Sequence, residues 1–592
     1  MQWQGVEDEG HVGIQNGLAR LPQITPDCPG LPRILRDQSE ASDQQQASEG
    51  IIMKASILSA AAVLSGHVVA KQAPPPPSLA SRLQNISASI FPDLKAISLD
   101  IWNHPELGGN EHHAHDLVVD YFSNQRKGEW KVTPHAHGMA TSWRLEFEHR
   151  PKGKGYSCGK PLPAVGFMAE YDALPEVGHA CGHNQITLVG TAAASMVRRA
   201  LIELDLPGRV VVVGTPDEEG TGGKLNLVQA GAFDGIDVWM MAHPSPTDMI
   251  SPFKSVTDLK AEFRRDTHNE VVRETYNAMM AVKDLVAKGL PGTASTASSV
   301  VNVGVFAANV AQGHIALGIN GTTLENVQQT VASILDDTYH GVSFTAAPDA
   351  AVPGGVNLTV LGPGGHGSES DNNPLTLTIE TFRALNAGPQ GEKLSFYLPG
   401  NTTHSGLDVS FDVRTRYTVE LSSVVDAIKA AVGSVSQAKI LTGGHEGPLY
   451  ESTTSHDHTP SVEVTPFIPD AFLEIAKQAE LYGPNNGWFT SNKAPASTDA
   501  SFVQGAVVDP KTYALLSADR AVFHPSYNIC PPEMASCPYN HEPAFRELAG
   551  GEFGLGQAEI VSRALAELAV KLLSDKKAMK DATAIVGKKK HD

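Results

Sequence analysis

The chain has 592 residues, 41% of them hydrophobic, with 54 glycines and 39 prolines, ordinary values for a loop-rich globular α/β protein. Such a length exceeds one compact core, so two or more domains are expected. The formal net charge of −20 argues against nucleic acid or an anionic membrane as partner, and no apolar run approaches the roughly 20 residues of a membrane span.

Residues 1–52 are polar and rich in Gln, Glu and Asp. Met53-Lys54, the apolar stretch Ala55–Val69 and Ala70 then follow the order of a secretory signal: charged region, short apolar region, small-residue cleavage site. Such a signal works only at an N-terminus. The natural start is therefore expected at Met53, with 1–52 an upstream extension, 53–70 the signal of a secreted protein and 71–80 a stiff linker around Pro74–Pro77. The alternative is a short buried helix behind a disordered arm. Acceptor sequons at Asn85, Asn320, Asn357 and Asn401 fit secretion and glycosylation. Of five cysteines, Cys530 and Cys537 can close a disulfide loop in an oxidising compartment.

From Leu79 the pattern reads helix, then strands alternating with helices to about Pro246. Buried strands are expected at Ala164–Glu170, Arg209–Thr215 and Asp237–Ala242, and helices at Ile186–Leu204 and Lys224–Ala230. A second α/β stretch ends in an amphipathic helix, Gln557–Leu573, followed by a basic tail at 578–592. Between the two stretches lies a weak internal repeat. Residues 256–347 read strand, His268, helix, strand, strand, helix. Residues 353–445 repeat that order with His366 in the equivalent place. The expected architecture is an α/β catalytic domain formed by 81–255 and 455–577, with a central, mostly parallel sheet flanked by helices. Into it two βαββα copies are inserted as an α+β lid; two unrelated insertions are the alternative.

Cys181 and His183, the pair Glu218-Glu219, and His243 each follow one of the three expected strands. Carboxyl ends of strands in an open α/β sheet form the crevice where ligands bind. A thiolate, imidazoles and carboxylates meeting there suit a zinc-like divalent metal, so a metal-dependent hydrolase is expected. The glycine between Cys181 and His183 lets a tight turn aim both side chains at one point. By contrast, His112, His113 and His115 follow no expected strand and read as a polar helix face.

The strings Ile101-Trp-Asn-His-Pro-Glu-Leu, Glu170-Tyr-Asp-Ala-Leu-Pro-Glu-Val-Gly-His-Ala-Cys-Gly-His-Asn, Gly214-Thr-Pro-Asp-Glu-Glu, Met241-Ala-His-Pro-Ser, Ala496-Ser-Thr-Asp and Asn540-His-Glu-Pro-Ala-Phe occur in this order. With them the chain resembles the two-metal aminoacylase/carboxypeptidase family, metallopeptidase family twenty, and in particular its aminoacylase-like β-alanyl-lysine dipeptidase branch. The resemblance implies two divalent ions, zinc first with manganese or cobalt as alternatives, held by Cys181, His183, Glu219, His243 and His541. It implies Glu218 as general base, and Asp172 and Asp499 as supports of the ligands or of the substrate side. A lid histidine, His268 or His366, would stabilise the oxyanion. Asn401 and Arg414, thirteen residues apart, would bind the substrate's amide and carboxylate; the first copy has no matching arginine. The double lid suggests a monomer in which one copy stands in for a second protomer.

The resulting expectation is hydrolysis of dipeptides or N-acyl amino acids bearing a free carboxylate. A carboxypeptidase for longer peptides and a catalytically inactive binder of small amides are the competing expectations.

Overall fold

The computed structural model describes residues 77–152, 160–293, 298–303, 310–311, 313–362, 365–366, 373–400, 405–443, 458–478 and 487–587. The expected extension, the signal segment, Asn401 and the side chain of His366 lie outside the described residues. The chain divides by its internal contacts into two units; the larger comprises Pro77–Lys154 and Leu162–Asp592, and all that follows concerns it. Among the described residues, no helix is long and apolar enough to cross a membrane.

Five strands, β1 (Lys131–Thr133), β2 (Arg144–His149), β3 (Ala164–Ala169), β4 (Gly208–Gly214) and β5 (Val238–Met240), join a sixth, Ala521–Phe523, in the order β1-β2-β4-β3-β5-sixth. β1 and β2 run antiparallel to their neighbours, while β4, β3, β5 and the sixth strand are mutually parallel. Every residue of β3 is buried, as is all of β4 except Arg209. Such strands must be apolar throughout, because helices cover both faces of a parallel sheet. On one face lie α1 (Leu79–Asn103), α2 (His183–Glu203) and the helix Glu552–Ser574, packed on one another in a single apolar core with β3 and β4. The expected helices and strands of this part thus occur within a few residues of their sequence boundaries.

The sixth strand follows the inserted region in sequence, so the sheet takes strands from both sides of it. The chain leaves and re-enters side by side: Phe253 pairs with Val462 and Val256 with Thr459.

Within the insertion both segments have the expected element order, each with further strands, including the short pair Val310–Ala311 and Gly365–His366. The first gives β6 (Ser255–Arg264), α3 (His268–Lys288), β7 (Ser298–Val303), β8 (His314–Asn320), α4 (Leu324–Ile334) and β9 (Ser343–Pro348). The second gives β10 (Gly355–Leu361), α5 (Pro374–Ala387), β11 (Ser395–Tyr397), β12 (Gly406–Thr415), α6 (Leu421–Val435) and β13 (Lys439–Gly443).

The two segments do not fold side by side. One sheet has the order β13-β6-β12-β7 and the other β9-β10-β8-β11, so each combines half of the first segment with half of the second. The central pairs of the two sheets are matched in length. Ten-residue β6 pairs with ten-residue β12 along its whole length, and seven-residue β8 with seven-residue β10. Matched lengths leave fewer ladder groups unpaired, which is costly once buried. Both sheets and the four helices share one apolar cluster.

Candidate active site

The site is assembled at the carboxyl ends of the four parallel strands. Glu170 and Asp172 follow β3, Glu218 and Glu219 follow β4, His243 follows β5, and His524 follows Ala521–Phe523. Cys181 and His183 flank Gly182, which has φ +86° and caps α2. A Cβ on Gly182 would lie 2.5 Å from Cγ of Pro244. Only glycine therefore permits both the left-handed turn and the close approach that sets Cys181 against His243. Asn540 locks the same junction by donating to the carbonyls of Cys181 (3.2 Å) and Pro244 (3.0 Å). The amide of His541 donates to the Ala180 carbonyl at 2.9 Å.

Two donor sets share one thiol. Cys181, His183 and His243 form the first, and Cys181, Glu219 and His541 the second; within each set the ligand atoms lie within 4.8 Å of one another. Cys181 Sγ is 3.4 Å from His243 Nε2, and His541 Nε2 is 3.0 Å from Glu219 Oε1. His183 Nε2 is fully buried and makes no hydrogen bond, with Glu170 Oε2 3.4 Å away, a setting that suits a shared cation. One thiol, three imidazoles and a carboxylate are a donor set suited to zinc. The residues present therefore fit a pair of divalent ions, which Cys181, His183, Glu219, His243 and His541 would hold.

Hydrogen bonds behind these groups decide which atoms face the site. Asp172 binds His183 Nδ1 through Oδ1 at 2.8 Å and accepts from the Glu219 amide through Oδ2 at 2.8 Å. His243 Nδ1 bonds the Pro244 carbonyl at 2.7 Å. Both rings are thereby turned to present Nε2, an arrangement that orients metal-binding histidines in general. Burial, with His183 nearby, lowers His243 to about 4, which keeps it neutral. Burial pushes the Cys181 thiol well up, reinforced by Glu219, so loss of its proton depends on a nearby cation.

Glu218 and Glu219 diverge in environment. Burial tends to raise Glu219, but His541 and His183 outweigh it and hold the carboxyl well below its usual range. For Glu218, burial and the charges of Glu170, Glu219 and Asp499 push the carboxyl well above it. Neighbouring carboxylates driven apart in this way are suited to different roles, one as anion and one as proton carrier.

Several buried groups carry no signal in the sequence. Lys224, fully buried, bridges Glu170 at 2.5 Å and Asp499 at 2.6 Å, and its amide donates to Asp499 at 2.9 Å. Glu111, also fully buried, accepts from the Asp217 amide at 2.8 Å and from Thr141 Oγ1 at 2.9 Å, supporting the turn that carries Glu218. His524 lies stacked on His243 and meets Phe253 edge to face. Position just beyond a parallel strand could have flagged Glu170 and His524. Lys224 and Glu111 meet their partners only through the fold.

An open pocket is lined by Cys181, Glu218, Glu219, His243 and His541, by apolar Pro246, Met249, Phe253 and Pro495, and by the hydroxyls of Ser497 and Thr498. Arg414, on β12, is 1% exposed. Its guanidinium is paired to Asp412 through two bonds of 2.8 Å and donates to Ser497 Oγ at 2.8 Å. Its charge is thus engaged by Asp412, and Ser497 stands between it and the pocket surface.

His268 begins α3, where its Nε2 accepts from the Leu398 amide at 3.1 Å; it is not among the residues that line the pocket. The backbone of His366 pairs with Val310. Cys530 and Cys537 are joined, in the loop that leads to His541. One correction concerns the histidines of the helix His112–Asp120: His115 is not on its polar face. It is 1% exposed, stacked on His135 at 4.4 Å, with Nε2 accepting the His135 amide at 3.2 Å.

Residues 166–531 match the family described as Peptidase family M20/M25/M40. The Xaa-Arg dipeptidase of Homo sapiens is 47% identical over 156 residues, 26% of this chain and 35% of that protein. The Xaa-Arg dipeptidase of Mus musculus is 46% identical over 155 residues, again 26% of this chain and 35% of that protein. The Indole-3-acetyl-aspartic acid hydrolase of Enterobacter agglomerans is 24% identical over 245 residues, 35% of this chain and 56% of its own length. The chain thus spans between about a third and a little over half of the length of these curated relatives. A solved Bacillus subtilis protein, YXEP, described as a dinuclear metal binding peptidase from the M20 family, aligns with TM-score 0.42 and 16% identity, over 84% of this chain and 98% of its own.

Proposed function

The chain belongs to peptidase family M20/M25/M40, and from that premise we propose a metal-dependent hydrolase of dipeptides or N-acyl amino acids that carry a free carboxylate. The observation that carries this reading is the pair of donor sets sharing Cys181, with Glu218 at their side in one pocket. Cys181, His183, Glu219, His243 and His541 would hold two divalent ions, zinc being favoured by the thiol and imidazoles. When bound, such ions supply Lewis acidity and bring the pKa of water toward about 7.

The remaining steps belong to the chain. Glu218, with its raised proton affinity, takes a proton from the attacking water and passes it to the amine that leaves. Asp172 keeps His183 and Glu219 in place throughout. Met249, Phe253 and Pro495 exclude water from the apolar part of the substrate. Asn401 and Arg414 are the proposed contacts to the substrate amide and carboxylate, the latter acting through Ser497, and His366 or His268 the proposed oxyanion donor.

The relatives' names support the substrate class. A dipeptide ending in arginine and an indole-3-acetyl-aspartic acid are both amides of an amino acid. Among the described residues of the pocket, the acids are Glu218 and Glu219, both committed to chemistry, and apart from Cys181, His243, His541 and Asn540 the other walls are apolar or hydroxylic. An apolar group is therefore the better fit beside Met249 and Phe253.

The test is release of free amino acid from a panel of dipeptides, N-acyl amino acids and tripeptides, with a chelated sample and Glu218→Ala as controls. Cleavage of the two-part substrates that disappears in both controls supports the reading. Preference for tripeptides would favour a carboxypeptidase, and no cleavage by zinc-loaded protein would point to a binding protein. Secretion from a start at Met53 is part of the same proposal and rests on the Met53–Ala70 pattern. Mass spectrometry of the N-terminus of exported protein tests it; a mature chain still carrying residues 1–52 would overturn it.

A further inference from the structure

A second group of metal-type donors lies outside the pocket lining, where the last turn of α1 meets the helix His112–Asp120. Asp100 and His104 are four residues apart at the end of α1 and share a face, as that spacing requires. His113 comes from the first turn of the following helix. Asp100 Oδ1 is 3.0 Å from His104 Nδ1 and 2.6 Å from His113 Nε2. The two rings are 4.6 Å apart between centroids, and one ligand atom from each of the three residues lies within 4.8 Å of the others. The acids next to these histidines in sequence are Glu111 and Asp116; the helix–helix junction brings Asp100 to His113 instead.

The arrangement is held from behind. Glu106 accepts the amides of His113 and Ala114 at 2.8 and 3.0 Å through its two oxygens, fixing the start of the second helix. The Asp100 carbonyl also lies 2.9 Å from His104 Nδ1, a hydrogen bond that metal binding at this nitrogen must displace. The His104, His113 and Asp100 side chains are 59%, 42% and 41% exposed, so an ion and a water ligand can enter without opening the fold.

We propose that Asp100, His104 and His113 form a third, peripheral site for a borderline divalent cation of the zinc class. Two imidazoles and one carboxylate are ligands that zinc accepts at about 2.0–2.2 Å, with water completing a tetrahedron. Hard cations such as magnesium and calcium prefer all-oxygen sites, so the selectivity is for zinc-like ions. Binding displaces any proton shared between the rings and Asp100, which goes to solvent; no bond to carbon changes. The site does not depend on the proposed hydrolysis, because none of its residues lines the pocket.

The experiment is equilibrium dialysis of the full chain against zinc near neutral pH, with metal content by elemental analysis, for the parent, His113→Gln and Asp100→Asn. The parent should hold one zinc more than either variant, while hydrolytic activity of the zinc-loaded variants stays unchanged. Equal zinc content in parent and variants overturns the proposal. Should a variant fail to fold, the parent alone decides. Zinc should protect His104 and His113 from diethyl pyrocarbonate, read by peptide mass spectrometry, and equal modification with and without zinc overturns the proposal.

Discussion

Asp172→Asn tests how the candidate metal site is built, because this single carboxylate holds two proposed ligands. Its Oδ1 bonds His183 Nδ1 and its Oδ2 accepts the Glu219 amide, each at 2.8 Å, and the residue is 1% exposed. Asparagine has nearly the same shape but one oxygen. Whichever way the amide turns, an N–H faces either His183 Nδ1 or the Glu219 N–H. If it faces the histidine, the ring must move its proton to Nε2, the atom that should bind metal; if it faces the amide, two donors oppose each other in a buried place. Loss of a hydrogen bond to a charged group costs roughly 1.5–3 kcal/mol. Loss of such an orienting partner typically weakens metal binding 10–100-fold, about 1.4–2.7 kcal/mol at 1.36 kcal/mol per factor of ten. The two routes agree. Zinc affinity, measured by competition with a chelating dye, should therefore fall about 10–100-fold in a protein with unchanged circular dichroism. An affinity within threefold of the parent would refute the argument that Asp172 sets the imidazole and carboxylate donors.

Glu218→Gln should lower kcat by about 10²–10⁴ with zinc content unchanged; a fall in zinc content instead would assign Glu218 to the metal. Lys224→Met leaves Glu170 and Asp499 buried without their cation and should cost about 3–5 kcal/mol in urea unfolding; a change under 1 kcal/mol would show that water or rearrangement compensates. Glu111 is raised to about 8, first by burial and then by the Asp172 charge. A raised acid favours folding below its ordinary pKa near 4.5 and loses that contribution as pH climbs through about 8. Glu111→Gln should thus flatten the decline of stability across that window, measured by denaturant unfolding at several pH values; a parallel decline in both proteins would exclude Glu111 as its source.

The sequence by itself determined the local pieces. All-apolar β3 and the Val210–Val213 run of β4 announced buried parallel strands, and the Cys181-Gly-His183 and Glu218-Glu219 strings announced metal chemistry, because ligand type and spacing are local properties. The exchange of strands in the insertion was not legible. Both segments carry the same alternation of apolar and polar residues, so pattern specifies which face is buried but not which strand is the neighbour. The pairing of β6 with β12 and of β8 with β10 is made only across long stretches of intervening chain. The supporting shell of the site was hidden for the same reason. Lys224 reads as an ordinary helix-start lysine and Glu111 as a surface acid until the tertiary fold removes water from both and makes Glu170, Asp499 and the Asp217 amide their partners. His113 and Asp100, thirteen residues apart in sequence, become candidate ligands only because one helix ends where the next begins. The physical division is between what a few consecutive side chains fix, which is secondary structure and ligand type, and what desolvation and long-range packing fix, which is pairing, protonation and support.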